Sequence, residues 1–245
     1  TISQSLTVIL AAVALAGQAA GAITVYAEYR LGEAGTLGPD NTPLDSVGTR
    51  YIDQAINGAG ATVGSPGAYP GSTAYMDSSN PSNTGYYSLG NFADLPTNNV
   101  AIGVYAKASS NDAGNIGTIF GTGDGGGFDL GLHANGWAGS LFNVDWVGPA
   151  GGVAGSFTPD TWVHLALIRA DGITTFYIDG VAQPGTLGIA PVHSSPHISV
   201  SPGGFSYFDG GIDGARAVFF DAGESTAAVL NVLTAVPEPS SLTLL

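Results

Sequence analysis

The fold is decided by the stretch WVHLALIRADGITTFYIDG, residues Trp162–Gly180. Two runs rich in aliphatic, β-branched and aromatic residues, Trp162–Arg169 and Ile173–Ile178, are separated by Ala-Asp-Gly, and a second Asp-Gly pair leads into Val181. Asp-Gly between apolar runs is a strong hairpin signal, because glycine accepts the positive φ that a tight turn requires. The stretch therefore predicts a three-stranded antiparallel meander.

Alternation within the two runs predicts which face is buried. Val163, Leu165 and Leu167 share one face of the first strand, and Phe176 and Ile178 share one face of the second. A period of two is typical of strands with one face against a core. We expect these five side chains to lie in the core.

Three motifs resemble those of one known family. WVHLALIR followed by TTFYIDG resembles the central hairpins of LamG-like, concanavalin A-like jelly-roll domains, FDGGIDGARAVFF (208–220) resembles their closing strand, and YRLGE (29–33) resembles their beginning. The resemblance covers about Ile23 to Leu233 and implies an all-β, antiparallel two-sheet jelly-roll sandwich. Lectins, adhesins, toxins and glucanases share this architecture, so it does not fix a function.

Composition agrees with one sandwich domain over residues 23–234. The chain has 245 residues, 44% of them hydrophobic, with 38 glycines and 14 prolines, which suits many short strands joined by tight turns. Only Ser225–Leu233 has helical spacing, and we expect one short helix there.

Charge and cysteine content exclude several classes of partner and site. Five basic against nineteen acidic residues give a formal net charge of −14, which repels nucleic acid and anionic membrane surfaces. The chain has no cysteine, so disulfides, thiolate metal sites and a cysteine nucleophile are excluded.

The N-terminal residues 1–22 are typical of a signal peptide. Leu6–Ala16 is an apolar stretch too short to span a bilayer, and Ala20-Gly21-Ala22 fits the small-x-small cleavage pattern, which places the mature start near Ile23.

The C-terminal residues 235–245 resemble the start of a PEP-CTERM sorting signal, cut short. VPEPSS (236–241) is followed by the apolar residues LTLL. The resemblance implies export by a Gram-negative bacterium to the cell surface or beyond, with processing by an exosortase. We expect the intact gene to continue into about 20 apolar residues and a basic cluster.

No catalytic pattern is present in the sequence. Retaining glucanases of this fold need paired carboxylates in an E-x-D-x-x-E pattern, and the four glutamates here, at 28, 33, 224 and 238, are isolated. No Gly-x-Ser-x-Gly motif supports a serine nucleophile. We expect a protein that is not an enzyme, and we interpret His164 of the WVH motif as a hydrogen-bonded structural residue, with Asp179 and Asp213 also structural.

Oxygen-rich loops allow a calcium site. Relatives in the resembled family often bind calcium at a loop edge, and the candidates here are Asp112, Asn115, Asp124 and Asp209. Asx hydrogen bonding in turns is the favoured interpretation for each of them, and the calcium interpretation stays open beside it. Zinc binding by His193 and His197 lacks further ligands.

Aromatic residues in or beside loops are candidate sugar platforms. They are Trp137, Trp146, Tyr207 and Phe208. Packing in the core is the competing interpretation, because large aromatics carry much of a sandwich core.

These observations predict a secreted, non-catalytic carbohydrate-binding or adhesive module that acts on a polysaccharide or a cell-surface glycan. The first alternative is a structural matrix or filament subunit that self-associates through edge strands and needs no ligand. A divergent glycoside hydrolase is the second alternative.

Overall fold

The computed structural model describes residues 21–38, 42–50, 52, 54–56, 62–69, 71–79, 85–87, 92–110, 116–133, 136–147, 153–154, 157–200 and 207–235. Within these ranges the strands are β1 (Ile23–Tyr29), β2 (Gln54–Ile56), β3 (Thr62–Gly64), β4 (Tyr75–Asp77), β5 (Gly85–Tyr87), β6 (Val100–Ala108), β7 (Ile116–Gly121), β8 (Phe128–His133), β9 (Gly136–Leu141), β10 (Asp145–Val147), β11 (Val153–Ala154), β12 (Val163–Ala170), β13 (Ile173–Ile178), β14 (Val181–Leu187), β15 (His197–Ile198) and β16 (Gly210–Phe220). The helix is α1 (Thr226–Thr234).

The strands form two antiparallel sheets. Sheet one has the order β14-β13-β12-β6-β16-β4-β3, with β1 also paired to β16, and sheet two has the order β10-β9-β8-β7-β15-β5-β2, with β11 also paired to β9. The prediction of an all-β, two-sheet jelly-roll sandwich is therefore confirmed.

The meander predicted from the sequence is β12-β13-β14. Its two turns contain Asp171-Gly172 and Asp179-Gly180, and all four residues have φ between 48° and 79°. The Asp179 carboxylate accepts a hydrogen bond from the His164 backbone N–H at 2.8 Å, which ties the second turn to β12. The structural role predicted for Asp179 is accounted for by this contact.

The core lies between the inner faces of the two sheets. Leu165, Leu167 and Phe176 are buried there, as the alternation predicts, and Val163 and Ile178 pack against its edge. In β9 of sheet two, a Cβ at Gly139 would come within 2.8 Å of Leu167 and 2.9 Å of Phe176. The two sheets therefore approach each other closely where β9 has no side chain.

Helix α1 covers part of the outer face of sheet one. Val229 and Leu233 pack on Ala166, Ile168 and Val218 in a second apolar cluster. Ser225 caps the helix, because its hydroxyl accepts a hydrogen bond from the Ala228 N–H at 3.1 Å. The predicted terminal helix is confirmed to within one residue at each end.

Single backbone choices set two boundaries late in the chain. β14 continues through Pro184 to Leu187, because Pro184 lies in an edge strand where a missing N–H is tolerated. β15 ends at Ile198, because Ser199 takes a φ of 60°.

The predictions for residues 1–20 and 236–245 lie outside the described residues. No helix that the structure describes has the length and apolar character needed to cross a membrane.

Candidate functional site

Two of the four candidate calcium ligands, Asp112 and Asn115, lie outside the described residues. Asp124 is exposed in the turn between β7 and β8, where its backbone N–H donates to the Ser194 hydroxyl at 3.2 Å. Asp209 precedes β16, and its carbonyl accepts a hydrogen bond from the Ser109 N–H at 2.8 Å.

The structure does not bring Asp124 and Asp209 together. Asp209 lies two residues after Tyr207, which forms a backbone bridge with Thr118 near the start of β7, whereas Asp124 follows the end of that strand. At about 3.3 Å per strand residue, the two carboxylates are on the order of 15 Å apart. No group of three or more His, Asp or Glu residues that could hold a metal is found among the described residues. Calcium binding stays a prediction.

Two of the predicted sugar platforms belong to the core. Trp137 points inward from β9, is 3% exposed, and contacts Phe157 edge to face. Phe208 is also buried in the core cluster. Neither ring can stack on a ligand without opening the sandwich, so packing in the core, the competing interpretation, describes both. Tyr207 is half-buried beside β7.

Trp146 has the opposite environment. Its indole is 36% exposed and stacks on the imidazole of His133, with ring centroids 4.7 Å apart and an interplanar angle of 10°. We call this pair the platform. It was missed as a pair in the sequence because His133 and Trp146 lie on strands whose register only the fold defines.

Strand alternation places the platform on the outer face of sheet two. In β8, Phe128, Leu130 and Leu132 point into the core, so Asp129 and His133 point outward. The neighbouring outward residues are small: Gly131 and His133 pair with Ala138 and Gly136, respectively, in β9. The small side chains leave room for the indole to lie along the sheet.

A row of residues in register crosses the same face beside the platform. In strand order it consists of Trp146, Ser140, Asp129, Gly121 and His197. The row therefore carries a hydroxyl, a carboxyl and an imidazole across the sheet, and all three residues are buried. The alternating polar positions of FDLGLH (128–133) were the sequence signal for this row.

Asp129 and His197 form a buried pair. His197 Nε2 lies 3.7 Å from Asp129 Oδ1, and the ring occupies the space above Gly121, where a Cβ would come within 2.0 Å of Nε2. Burial raises the pKa of Asp129, although the neighbouring His197 opposes the shift. On the other side of the carboxyl, the Thr118 hydroxyl donates to Oδ2 at 3.4 Å.

His193 does not join His197 in a metal site. Its Nδ1 bonds the Thr122 hydroxyl at 2.7 Å, and its ring contacts Phe128 edge to face. Burial lowers the pKa of His193 to about 4, so the ring is neutral at pH 7. This histidine connects the loop before β15 to the turn after β7.

The sequence matches one family model. The Laminin_G_3 model, described as the Concanavalin A-like lectin/glucanases superfamily, matches residues 81–218, more than half of the chain. The chain belongs to this superfamily. The match includes all the strands that carry the platform and its polar row. No curated protein matches the chain.

Solved structures with a similar fold include an enzyme, a domain of another enzyme and a domain of a toxin. Domain 4 of AbnA, an extracellular arabinanase from Geobacillus stearothermophilus in complex with arabinotriose, aligns with a TM-score of 0.60 at 16% identity, over 87% of this chain and 99% of that one. The sialidase of Trypanosoma rangeli in complex with sialic acid aligns with a TM-score of 0.53 at 11% identity, over 85% of this chain and 32% of that one. The receptor-binding domain of a botulinum neurotoxin of mosaic serotype C/D aligns with a TM-score of 0.51 at 13% identity, over 86% of this chain and 50% of that one. At these identities the likeness is one of fold.

Proposed function

We propose that this protein is a non-catalytic carbohydrate-binding module whose platform, Trp146 on His133, contacts sugar rings. The stacked and partly exposed indole on the outer face of sheet two is the observation that carries the proposal. An aromatic face offers a large apolar contact at low entropic cost and suits the C–H face of a sugar ring.

The fold neighbours support the same class of ligand. The AbnA domain is described in complex with arabinotriose and the sialidase with sialic acid. The net charge of −14 favours neutral over acidic polysaccharides. We therefore place neutral oligosaccharides first among the ligands to be tested.

The carboxylates of sheet two support a role without hydrolysis. Two-carboxylate hydrolysis with retention needs both groups about 5 Å apart on one side of the substrate. The described strands of sheet two carry Asp129 and Asp145, and these point to opposite faces, because Asp145 pairs with the inward residue Leu141. Asp129 itself faces His197, with no second carboxylate in its row.

Edge-strand assembly receives less support. The edge strand β14 is exposed and could accept another chain, but Pro184 removes one of its N–H donors and its register with β13 is irregular. Both features disfavour the pairing of an edge strand with a strand of another chain.

The test is titration of the protein with arabinotriose and a panel of neutral oligosaccharides by calorimetry. Trp146→Ala should weaken binding about tenfold, the factor that corresponds to 1.4 kcal/mol, whereas Trp146→Phe should retain most of the affinity. Val181→Ala, an exposed change on sheet one, is the matched control. No measurable binding of any oligosaccharide in the panel, or an unchanged affinity in Trp146→Ala, would remove the platform from the proposal.

Export through the predicted signal peptide and exosortase signal belongs to the same proposal, since an exported module would meet extracellular polysaccharide. Mass spectrometry of the protein from its source should find a mature N-terminus near Ile23. Recovery of an uncleaved chain from the cytoplasm would contradict it.

A further inference from the structure

A cleft of about 430 Å³ lies between helix α1 and the outer face of sheet one, on the opposite side of the sandwich from the platform. Tyr105 of β6 and His164 of β12 line its sheet side, together with the turn residue Asp179. Leu230 and Asn231 line its helix side. Its volume falls within the range of about 300–1,000 Å³ that is typical of small-molecule sites.

His164 is the unusual residue of this cleft. Its side chain is 3% exposed, yet neither Nδ1 nor Nε2 has a hydrogen-bond partner among the described residues. The sequence predicted a hydrogen-bonded structural histidine, and for the ring that prediction is wrong. Burial, and then the charge of Arg216, lower the pKa of His164 to about 4, so the ring is neutral and offers one donor and one acceptor.

The strand beside His164 holds the ring in place. The Tyr105 ring contacts it edge to face at 4.8 Å between centroids. A Cβ at Gly103 would come within 2.9 Å of His164 Nε2 and 3.2 Å of Leu233, so the absence of a side chain at this position gives the imidazole its space. Buried polar atoms are bonded in the great majority of cases, so this ring is unusual, but both of its nitrogens are inaccessible and the imidazole forms part of the floor of the cleft.

The side chains that line the cleft define which kind of ligand it fits. It combines a neutral imidazole, the Asp179 carboxylate, the Asn231 amide and the Tyr105 hydroxyl with the apolar side chain of Leu230. Such a mixture suits a molecule that has hydroxyl groups on its edge and C–H groups on its face. Among the described residues that line the cleft there is no cationic side chain, and the carboxylate disfavours phosphates and acidic sugars.

We infer that this cleft is a second ligand site, separate from the platform, which binds one neutral sugar ring or a polyol of similar size between the side chains of Tyr105, Asp179 and Asn231, with His164 in its floor. The site does not depend on the platform, because the two lie on different sheets and share no residue. A chain with both sites could contact one polysaccharide on each side of the sandwich.

The chain's histidines allow both sites to be measured in one experiment. Among four histidines, His133 reports on the platform and His164 on the cleft, and their imidazole Cε1–H NMR signals can be assigned from single substitutions. The full chain is titrated with D-glucose, D-galactose and L-arabinose to about 100 mM, because a ligand with few atoms binds in the millimolar range. We expect at least one of these sugars to shift the His164 signal in a saturable way.

Two helix variants make the result specific. Ala227→Trp fills the cleft from an exposed position on α1 and should weaken the His164 response roughly tenfold or more. Thr226→Trp, next to it but outside the cleft lining, should leave the response unchanged. Trp146→Ala should also leave it unchanged while the His133 response is lost.

The outcomes separate the two proposals. A His164 response without a His133 response supports the cleft and counts against the platform, and the reverse result overturns the cleft. No saturable His164 shift with any of the three sugars, or a shift that persists in Ala227→Trp, also overturns the cleft.

Discussion

The hydrogen-bond network of Glu28, Arg216 and helix α1 tests how the first strand, the last strand and the helix are held together. Arg216 of β16 donates from Nε to the Glu28 carboxylate of β1 at 2.7 Å, forms a second contact with the same oxygen through Nη2, and donates from Nη1 to the carbonyl of Val232 at 2.6 Å. One guanidinium thus connects the first strand, the closing strand and the last turn of the helix.

The environment of Glu28 determines the cost of breaking this network. Burial raises the pKa of Glu28, but the hydrogen bond from Ser46 at 2.5 Å and the charge of Arg216 outweigh burial, and the pKa is lowered. Because the folded pKa lies below the unfolded one, the contribution of Glu28 to stability is present above the unfolded pKa near pH 4.5 and is lost as the pH falls through the folded pKa.

Arg216→Met keeps the aliphatic stem and removes the guanidinium. It leaves a buried carboxylate without its main partner, which typically costs about 3–5 kcal/mol. Ser46 and Arg30 still bond Glu28, so we expect a value near the lower end, about 3 kcal/mol. For a domain of this size, that corresponds to a fall in melting temperature of roughly 6–12 °C.

Urea unfolding followed by circular dichroism measures this cost, and the double variant tests its cause. Adding Glu28→Gln to Arg216→Met removes the unpaired charge, so the double variant should be less destabilised than the sum of the single variants by roughly 1–3 kcal/mol. A cost below about 1 kcal/mol for Arg216→Met, or strict additivity of the two changes, would refute the reasoning.

Three further changes test other parts of the structure. Burial raises the pKa of Asp213 to about 7. Its contribution to stability is therefore fully present below the unfolded pKa and is lost as the pH rises to about 7. Asp213→Asn should remove this pH-dependent loss, which is on the order of 4 kcal/mol, and melting curves between about pH 4 and pH 8 measure it. Gly139→Ala forces a methyl group into the contact with Leu167 and Phe176 and should cost about 1–3 kcal/mol in urea unfolding, whereas equal stability would show that the sheets can separate there freely. Ser225→Ala removes the cap of α1 and should cost about 1 kcal/mol, with no change at all counting against the capping bond.

The parts of the fold that local chemistry determines could be predicted from the sequence. The Asp-Gly turns at 171–172 and 179–180 fix the meander because both residues of each pair take a positive φ. The inward side chains of β12 and β13 follow from a period of two. Boundaries set by a single backbone choice, such as Ser199 at a φ of 60°, carry no comparable signal.

The candidate sites depend on register, which the sequence does not encode locally. Trp137 and Trp146 look alike in sequence, and only the pairing of β9 with β8 and β10 places one in the core and the other on the surface. The environment of His164 requires Gly103, far earlier in the chain, to lie beside it. The Asp-Gly turns could therefore be predicted from the sequence, whereas the surroundings of the aromatic residues and of His164 could not.

The two proposed sites follow from how a sandwich divides its surface. The inner faces of both sheets are occupied by the core, so both proposed sites lie on outer faces, and β12 contributes side chains to the core and to the cleft. On its outer face, Ala166 and Ile168 pack under α1, whereas His164 lies outside that apolar cluster and lines the cleft. The helix that stabilises sheet one thus also forms a wall of the cleft, so ligand binding there should raise the stability of the helix contact, whereas a ligand on the platform stabilises sheet two without the helix.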